Sequence, residues 1–125
     1  MAKASRESAQ VEDHGVVEDR HQELEGYTVN FLTFRQDIDA APLLRGLPGD
    51  QCTSPHWGYV ISGRVTYTIG DRVEVHEAGD AFYVPPGHLQ KAEAGTEYIQ
   101  FSPTDELSVV SAQMMANMQA MMQGA

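Results

Sequence analysis

Between Gly58 and Phe101 short apolar segments alternate with glycine, proline and aspartate turns, and no stretch there has helical periodicity. Arg64–Ile69 alternates cleanly, with Val65, Tyr67 and Ile69 on one face and Arg64, Thr66 and Thr68 on the other. Gly70-Asp71 is a two-residue hairpin signal. The return segment Arg72–His76 sets Val73 and Val75 against Arg72, Glu74 and His76, which reads His76 as a solvent-facing strand-end histidine. Gly79-Asp80 turns the chain again, Ala81–Val84 is a short apolar strand, Pro85-Pro86-Gly87 is another turn, and Thr96–Phe101 is a further strand. Tyr27–Phe34, rich in β-branched and aromatic residues, precedes them as a strand, and Asp39–Asp50 is a proline- and glycine-broken loop. Strands joined by tight turns predict an all-β antiparallel sandwich or barrel.

The two ends differ from this centre. Residues 1–25 are polar, charged and aperiodic apart from Val16-Val17, which predicts a flexible acidic arm with His14 and His21 solvated. Residues 26–102 form the barrel. Residues 103–123 read as a helix, with Ser102 as N-cap, Pro103 at the first helical position and Asp105 at the third. Leu107, Val110, Met114, Met118 and Met121 form its apolar stripe, widened by Met115 and Met122. A methionine stripe is more often adaptable packing than a metal site; here it would pack on the barrel or on a second subunit.

A chain of 125 residues suffices for one domain with its own core. The 8 basic against 18 acidic residues leave a net charge of −10, which argues against nucleic-acid and anionic-membrane partners. No apolar run is long enough to cross a membrane, and the first residues lack the apolar segment of a secretory signal. The single cysteine, Cys52, excludes an internal disulfide and suits a reducing compartment. These features together predict a cytoplasmic protein.

Cys52 and His56 share one strand parity, so both can point into the barrel. The Pro-Pro-Gly turn then delivers His88 and Gln90, also of one parity. A thiolate and imidazoles at such spacings are a divalent-metal donor set. Each alone has a plainer reading: a small buried cysteine, a hydrogen-bonded barrel histidine, a histidine at a turn. Together they predict a metal site of Cys52, His56 and His88, with Asp50 or Gln90 completing the shell or moving a proton. Tyr67, Tyr98 and Gln100 are candidates for pocket lining; Glu97 reads as a surface carboxylate, and Trp57 and Tyr59 face the outer layer or a subunit contact.

The segments YVISG (59–63) and GDAFYVPPG (79–87) resemble the two motifs of the cupin family, G-x5-H-x-H-x3-4-E-x6-G and G-x5-P-x-G-x2-H-x3-N. Gly63 matches the glycine closing the first; Gly79, Pro85 and Gly87 match the second. The resemblance spans roughly residues 26–102. It implies a double-stranded β-helix of jelly-roll type, commonly dimeric, with a metal or small-molecule pocket in the barrel. The ligand positions are substituted: the family's glutamate falls on His56, its first-motif histidines on Asp50 and Cys52, its last histidine on Gln90 and its asparagine on Ala94. A Cys/His/His set with an open position favours zinc, with nickel, iron or manganese as other candidates. The function so implied is Lewis-acid action on, or binding of, a small molecule. The alternative is a non-catalytic sensor or assembly module with a degenerate, metal-free site. A homodimer is the expected assembly.

Overall fold

A computed structural model describes residues 3–123. The strands run β1 (Gln10–Asp13), β2 (Val17–Leu24), β3 (Tyr27–Phe34), β4 (Ile38–Asp39), β5 (His56–Ser62), β6 (Arg64–Ile69), β7 (Arg72–Glu77), β8 (Ala81–Val84), β9 (Leu89–Ala92) and β10 (Glu97–Pro103), followed by α1 (Thr104–Gln123). Short 3-10 turns at Ala41–Leu43 and Pro48–Asp50 interrupt the loop before β5. Six strands form one sheet in the order β1-β2-β3-β10-β5-β8, and four form the other in the order β4-β9-β6-β7. All strand pairs are antiparallel. The inward residues Phe34, Val60, Val65, Tyr67, Phe82, Val84 and Tyr98 make the core between them, giving the antiparallel barrel that the turn-punctuated sequence predicts and the jelly-roll form that the family resemblance implies.

Gly63 makes the connection from β5 to β6 possible. Its φ is +80°, and a Cβ there would lie 2.5 Å from the Thr96 backbone. Glycine meets both demands at once.

Three expectations are corrected. Most of the stretch read as an acidic arm is built into the larger sheet, as β1 pairs with β2 and β2 pairs along its whole length with β3. The hairpins rest on turns rather than on apolar alternation. Gly15 N donates to Asp13 Oδ1, and the Arg35 guanidinium clamps that carboxylate at 2.8 and 3.1 Å. Glu25 and Gly26, both at positive φ, link β2 to β3 as a type I′ turn requires.

The phase of β7 is inverted. The two-residue turn pairs Ile69 with Arg72, and therefore Tyr67 with Glu74 and Val65 with His76. Directly opposed residues share a face, so His76 turns inward, its ring stacked on Phe82 at 4.9 Å, while Val73 is 61% exposed. The helix, finally, begins at Thr104 because β10 stays paired with β3 through Pro103. Ser102 is fully buried and bonds to a histidine instead of capping.

α1 folds back over the barrel. Val110 is buried with Leu44, Leu47 and Cys52, with Met114 packed against them. Asn117 fixes the helix by donating to the carbonyls of Leu43 and Arg45, both at 2.8 Å.

Candidate metal centre

Cys52 lies before β5, not on it. Strand parity therefore does not aim its side chain; a two-residue bridge does. Cys52 N donates to the His88 carbonyl at 2.9 Å, and the Cys52 carbonyl accepts from Gly87 N at 2.7 Å and His88 N at 3.3 Å. The loop after the first 3-10 turns is thus tied to the Pro-Pro-Gly turn. His56 opens β5 opposite Val84 and points inward.

These three side chains converge. Their donor atoms all lie within 4.8 Å of one another, and all three residues are buried. Cys52 Sγ is 3.5 Å from His56 Nε2. Tetrahedral zinc, with Zn–S near 2.3 Å and Zn–N near 2.05 Å, sets sulfur and nitrogen about 3.6 Å apart. The Cys52–His56 spacing matches such an ion, and the His88 donor lies within 4.8 Å of both.

Both imidazoles are oriented from behind. His88 Nδ1–H donates to the Pro85 carbonyl at 2.8 Å, leaving Nε2 as the free nitrogen. His56 Nδ1 lies 2.7 Å from Ser102 Oγ. Burial pushes the Cys52 thiol up to about 11, so without an ion the S–H is intact, with the Ser54 carbonyl at 3.7 Å and His56 Nε2 at 3.5 Å as its acceptors. The His56 tautomer with its proton on Nδ1, donating to Ser102 Oγ, leaves Nε2 free for a metal. Outer partners of this kind fix the tautomer that presents Nε2 to a metal. Burial pulls His56 down to about 3, with His88 adding a smaller effect, and burial also lowers His88 against the Pro85 bond. Both rings are therefore neutral, as metal ligands must be.

The centre opens on a cavity of about 210 Å³. Leu32, Phe34, Leu44, Val110, Met114 and Met118 give it a largely apolar wall, so the methionine stripe of α1 becomes cavity wall. Tyr67, Gln90 and Tyr98 line it as well, as does Gln100. Asp50, by contrast, does not take part. At φ 55° it closes the second 3-10 turn, and its exposed carboxylate accepts from Gly46 N at 3.0 Å. That corrects its reading as a catalytic candidate: the residue at the family's first histidine position is spent on the loop. Gln90 stays in the cavity, donating to Tyr98 Oη.

Glu12 and Asp19, which the sequence does not single out, also line the cavity, as does His14, which is therefore not a solvated arm histidine. Asp19 accepts from Asn30 Nδ2 at 2.9 Å, Asn30 accepts from Gln100 Nε2 at 3.2 Å, and burial raises the Asp19 carboxyl. His21 lies 2.6 Å from Glu12 and is likewise not a free tail histidine. The available signal was parity, since Asp19 and His21 share a face of β2.

Residues 52–97 match the cupin domain family model. No curated protein sequence matches the chain. Among solved structures the chain is similar to an RmlC-like cupin from Shewanella frigidimarina, at 18% identity and TM-score 0.56, covering 80% of this chain and 88% of that one. It is also similar to KdgF from Halomonas sp., at 15% identity and TM-score 0.53 over 79% and 92% of the two chains. The polyketide cyclase RemF from Streptomyces resistomycificus is a third, at 13% identity and TM-score 0.56 over 82% and 79%. The central strands thus match the cupin domain model, and the fold over most of the chain is similar to that of solved cupin structures.

Proposed function

We propose that the protein binds a divalent metal, zinc before nickel, iron or manganese, through Cys52 Sγ and the Nε2 atoms of His56 and His88. The convergence of three buried donors, two of them oriented from behind, carries this reading. Three protein ligands leave one tetrahedral position open, and the cavity brings a small molecule to it. The ion would supply Lewis acidity, polarising a carbonyl or lowering the pKa of a bound water. The Ser102 hydroxyl and the Pro85 carbonyl hold the imidazoles, Gln90 and the tyrosines orient the ligand, and α1 excludes solvent. A buried thiol that must stay reduced suits the cytoplasm. The test is elemental analysis of untagged protein beside Cys52→Ser and His88→Ala. Near-stoichiometric metal in the parent and loss in both variants is expected; a parent that takes up no metal from zinc, nickel, iron or manganese salts overturns the reading.

A metal-free binding module is the second reading. It is favoured by the Cys52–His56 contact, which satisfies both groups without an ion.

The homodimer is proposed through the outer face of the larger sheet. Tyr27, Trp57, Tyr59, Tyr83 and Phe101 are all partly exposed there, and Trp57 meets Tyr83 and Tyr27 in one aromatic cluster. Such a face suits a self-complementary contact better than solvent. Sedimentation of the parent and of Tyr59→Glu tests it: a dimer that the substitution dissociates is expected.

A further inference from the structure

The charges on the cavity wall are one-sided. Among the described residues that line it there is no lysine or arginine, whereas Glu12 and Asp19 both reach it. The two carboxylates are directly opposed in the β1–β2 register, a placement in which like charges repel. Glu12 is already engaged, with His21 Nε2 at 2.6 Å and His14 Nε2 at 3.7 Å. Asp19 has no ion pair among the described residues. The nearby arginines are committed to the opposite face of the hairpin, Arg20 to Glu18 and Arg35 to Asp13, both at 2.8 Å. Asp19 instead accepts from Asn30 Nδ2 at 2.9 Å, and Asn30 Oδ1 accepts from Gln100 Nε2 at 3.2 Å. Both amides donate toward the carboxylate, an alignment that supports negative charge there. Burial opposes it and raises the carboxyl, and the facing Glu12 adds to the rise. What the arrangement lacks is a counter-charge.

We propose that the cavity takes an ammonium ion with an apolar body, its cationic head on the Asp19 carboxylate. This rests on the small-molecule reading of the cavity and names the ligand's charge; it does not require the metal. An N–H donor of an ammonium makes a charge-assisted bond to a carboxylate, about twice as strong as a neutral one. Between Asp19 and Glu12 it also turns repulsion into attraction on both sides. A carboxylate or phosphate ligand meets the reverse: two acids, no cationic side chain, and a chain of net charge −10. Burial holds His56 and His88 neutral, so the imidazoles do not offset this. The fold also gives the ligand a direction. β3 and β10 separate β2 from β5 in the larger sheet, so Asp19 and His56 stand on different sides of the cavity. With its head on Asp19, the ligand lays its body along Leu32, Phe34, Met114 and Met118 and extends toward the Cys52, His56 and His88 centre.

The experiment uses full-length protein stripped of metal by a chelator, at neutral pH, with three probes of similar shape: phenethylamine, which is protonated there, 2-phenylethanol and 3-phenylpropionate. Calorimetry should find phenethylamine bound on the order of tenfold more tightly than phenylethanol, with phenylpropionate weakest. Asp19→Asn keeps the shape and the acceptor for Asn30. It should weaken phenethylamine about tenfold and leave phenylethanol unchanged, which shows the cavity intact. Asp71→Asn, in the exposed β6–β7 turn, removes the same charge from the surface and should leave all three affinities as they are. Equal affinity for amine and alcohol overturns the proposal, as does tightest binding of phenylpropionate or no binding of the amine. So does an Asp19→Asn protein that keeps the parent's affinity for the amine. An equal loss in Asp71→Asn overturns it too, by assigning the binding to net charge. If Asp19→Asn does not fold, the three probes on the parent decide. Alcohol binding that the amine does not exceed overturns the charge assignment and leaves the small-molecule reading standing; no binding of any probe overturns both. Because the ion is absent throughout, metal uptake is judged separately.

Discussion

The backbones of Cys52 and His88 exchange hydrogen bonds, Cys52 N to His88 O at 2.9 Å and His88 N to Cys52 O at 3.3 Å, so the thiol and one imidazole of the centre are placed by a single bridge between two loops. Neither residue belongs to a strand. The site is therefore as rigid as that bridge and the partners behind the rings. Ser102, fully buried on β10, is the partner of His56. Replacing it with alanine should lower zinc affinity about 10- to 100-fold, the usual effect of removing an orienting partner. Competition against a chromophoric chelator measures this, and unchanged affinity would show that Ser102 does not orient the ring.

The histidines also make a pH prediction for the metal-free protein. His56 titrates near 3 when folded and near 6.5 when unfolded. Above pH 6.5 neither state binds the proton. As pH falls below 6.5 the unfolded chain takes one up and the folded chain does not, so stability declines by about 1.4 kcal/mol per pH unit until the folded pKa is reached. Denaturant melts between pH 7 and pH 5 should show this decline, and His56→Gln should reduce it to the part that His88, also lowered by burial, contributes.

Gly63 and Gly79 separate backbone strain from steric contact. Both have positive φ, but a Cβ at Gly63 would meet Thr96 at 2.5 Å, whereas nothing lies within 4 Å of one at Gly79. Gly79→Ala should cost about 1–2 kcal/mol for the left-handed conformation alone. Gly63→Ala should cost more, about 3 kcal/mol or beyond, because β5 and β10 must also part. Equal losses in chemical denaturation would place the whole effect in the backbone.

Asn117 holds α1 to the loop carbonyls of Leu43 and Arg45. Asn117→Ala should cost about 1–2 kcal/mol and, more tellingly, speed amide exchange along Thr104–Gln123 while the β5 and β6 amides keep their protection. Uniform loss of protection would mean that the helix and the barrel open as one unit.

The central strands were legible because their turns are strong: Gly70-Asp71, Gly79-Asp80 and Pro85-Pro86-Gly87 leave little choice of boundaries. The convergence of Cys52, His56 and His88 was anticipated, but for Cys52 the cause was not, since backbone pairing across loops leaves no trace in side-chain parity. His76 was misplaced by letting valines define the inside. The two-residue turn had already fixed Val65 opposite His76, and register outranks hydropathy on a strand that is exposed at one face. The first two strands were invisible for a different reason. Glu12, His14 and Asp19 make their stretch of the cavity wall polar, so the apolar alternation that marks a half-buried strand is absent.

The turn joining β2 to β3 hid for a chemical reason that can be tested. Glu25 occupies φ 49° and Gly26 φ 84°. Asparagine adopts positive φ far more readily than glutamate, which is why Asn-Gly signals this turn and Glu-Gly does not. The Glu25 side chain is exposed, and no hydrogen bond or ion pair ties it to the rest of the described residues. Glu25→Asn should therefore relieve backbone strain and cost no contact, stabilising the protein by about 0.5–1 kcal/mol. It also removes one negative charge from a hairpin that carries several, an effect of the same sign. Glu25→Gln separates the two, keeping the glutamate backbone preference without the charge. A gain with asparagine that glutamine does not match assigns the effect to the turn. Equal gains would assign it to charge and leave the strain at Glu25 without energetic consequence.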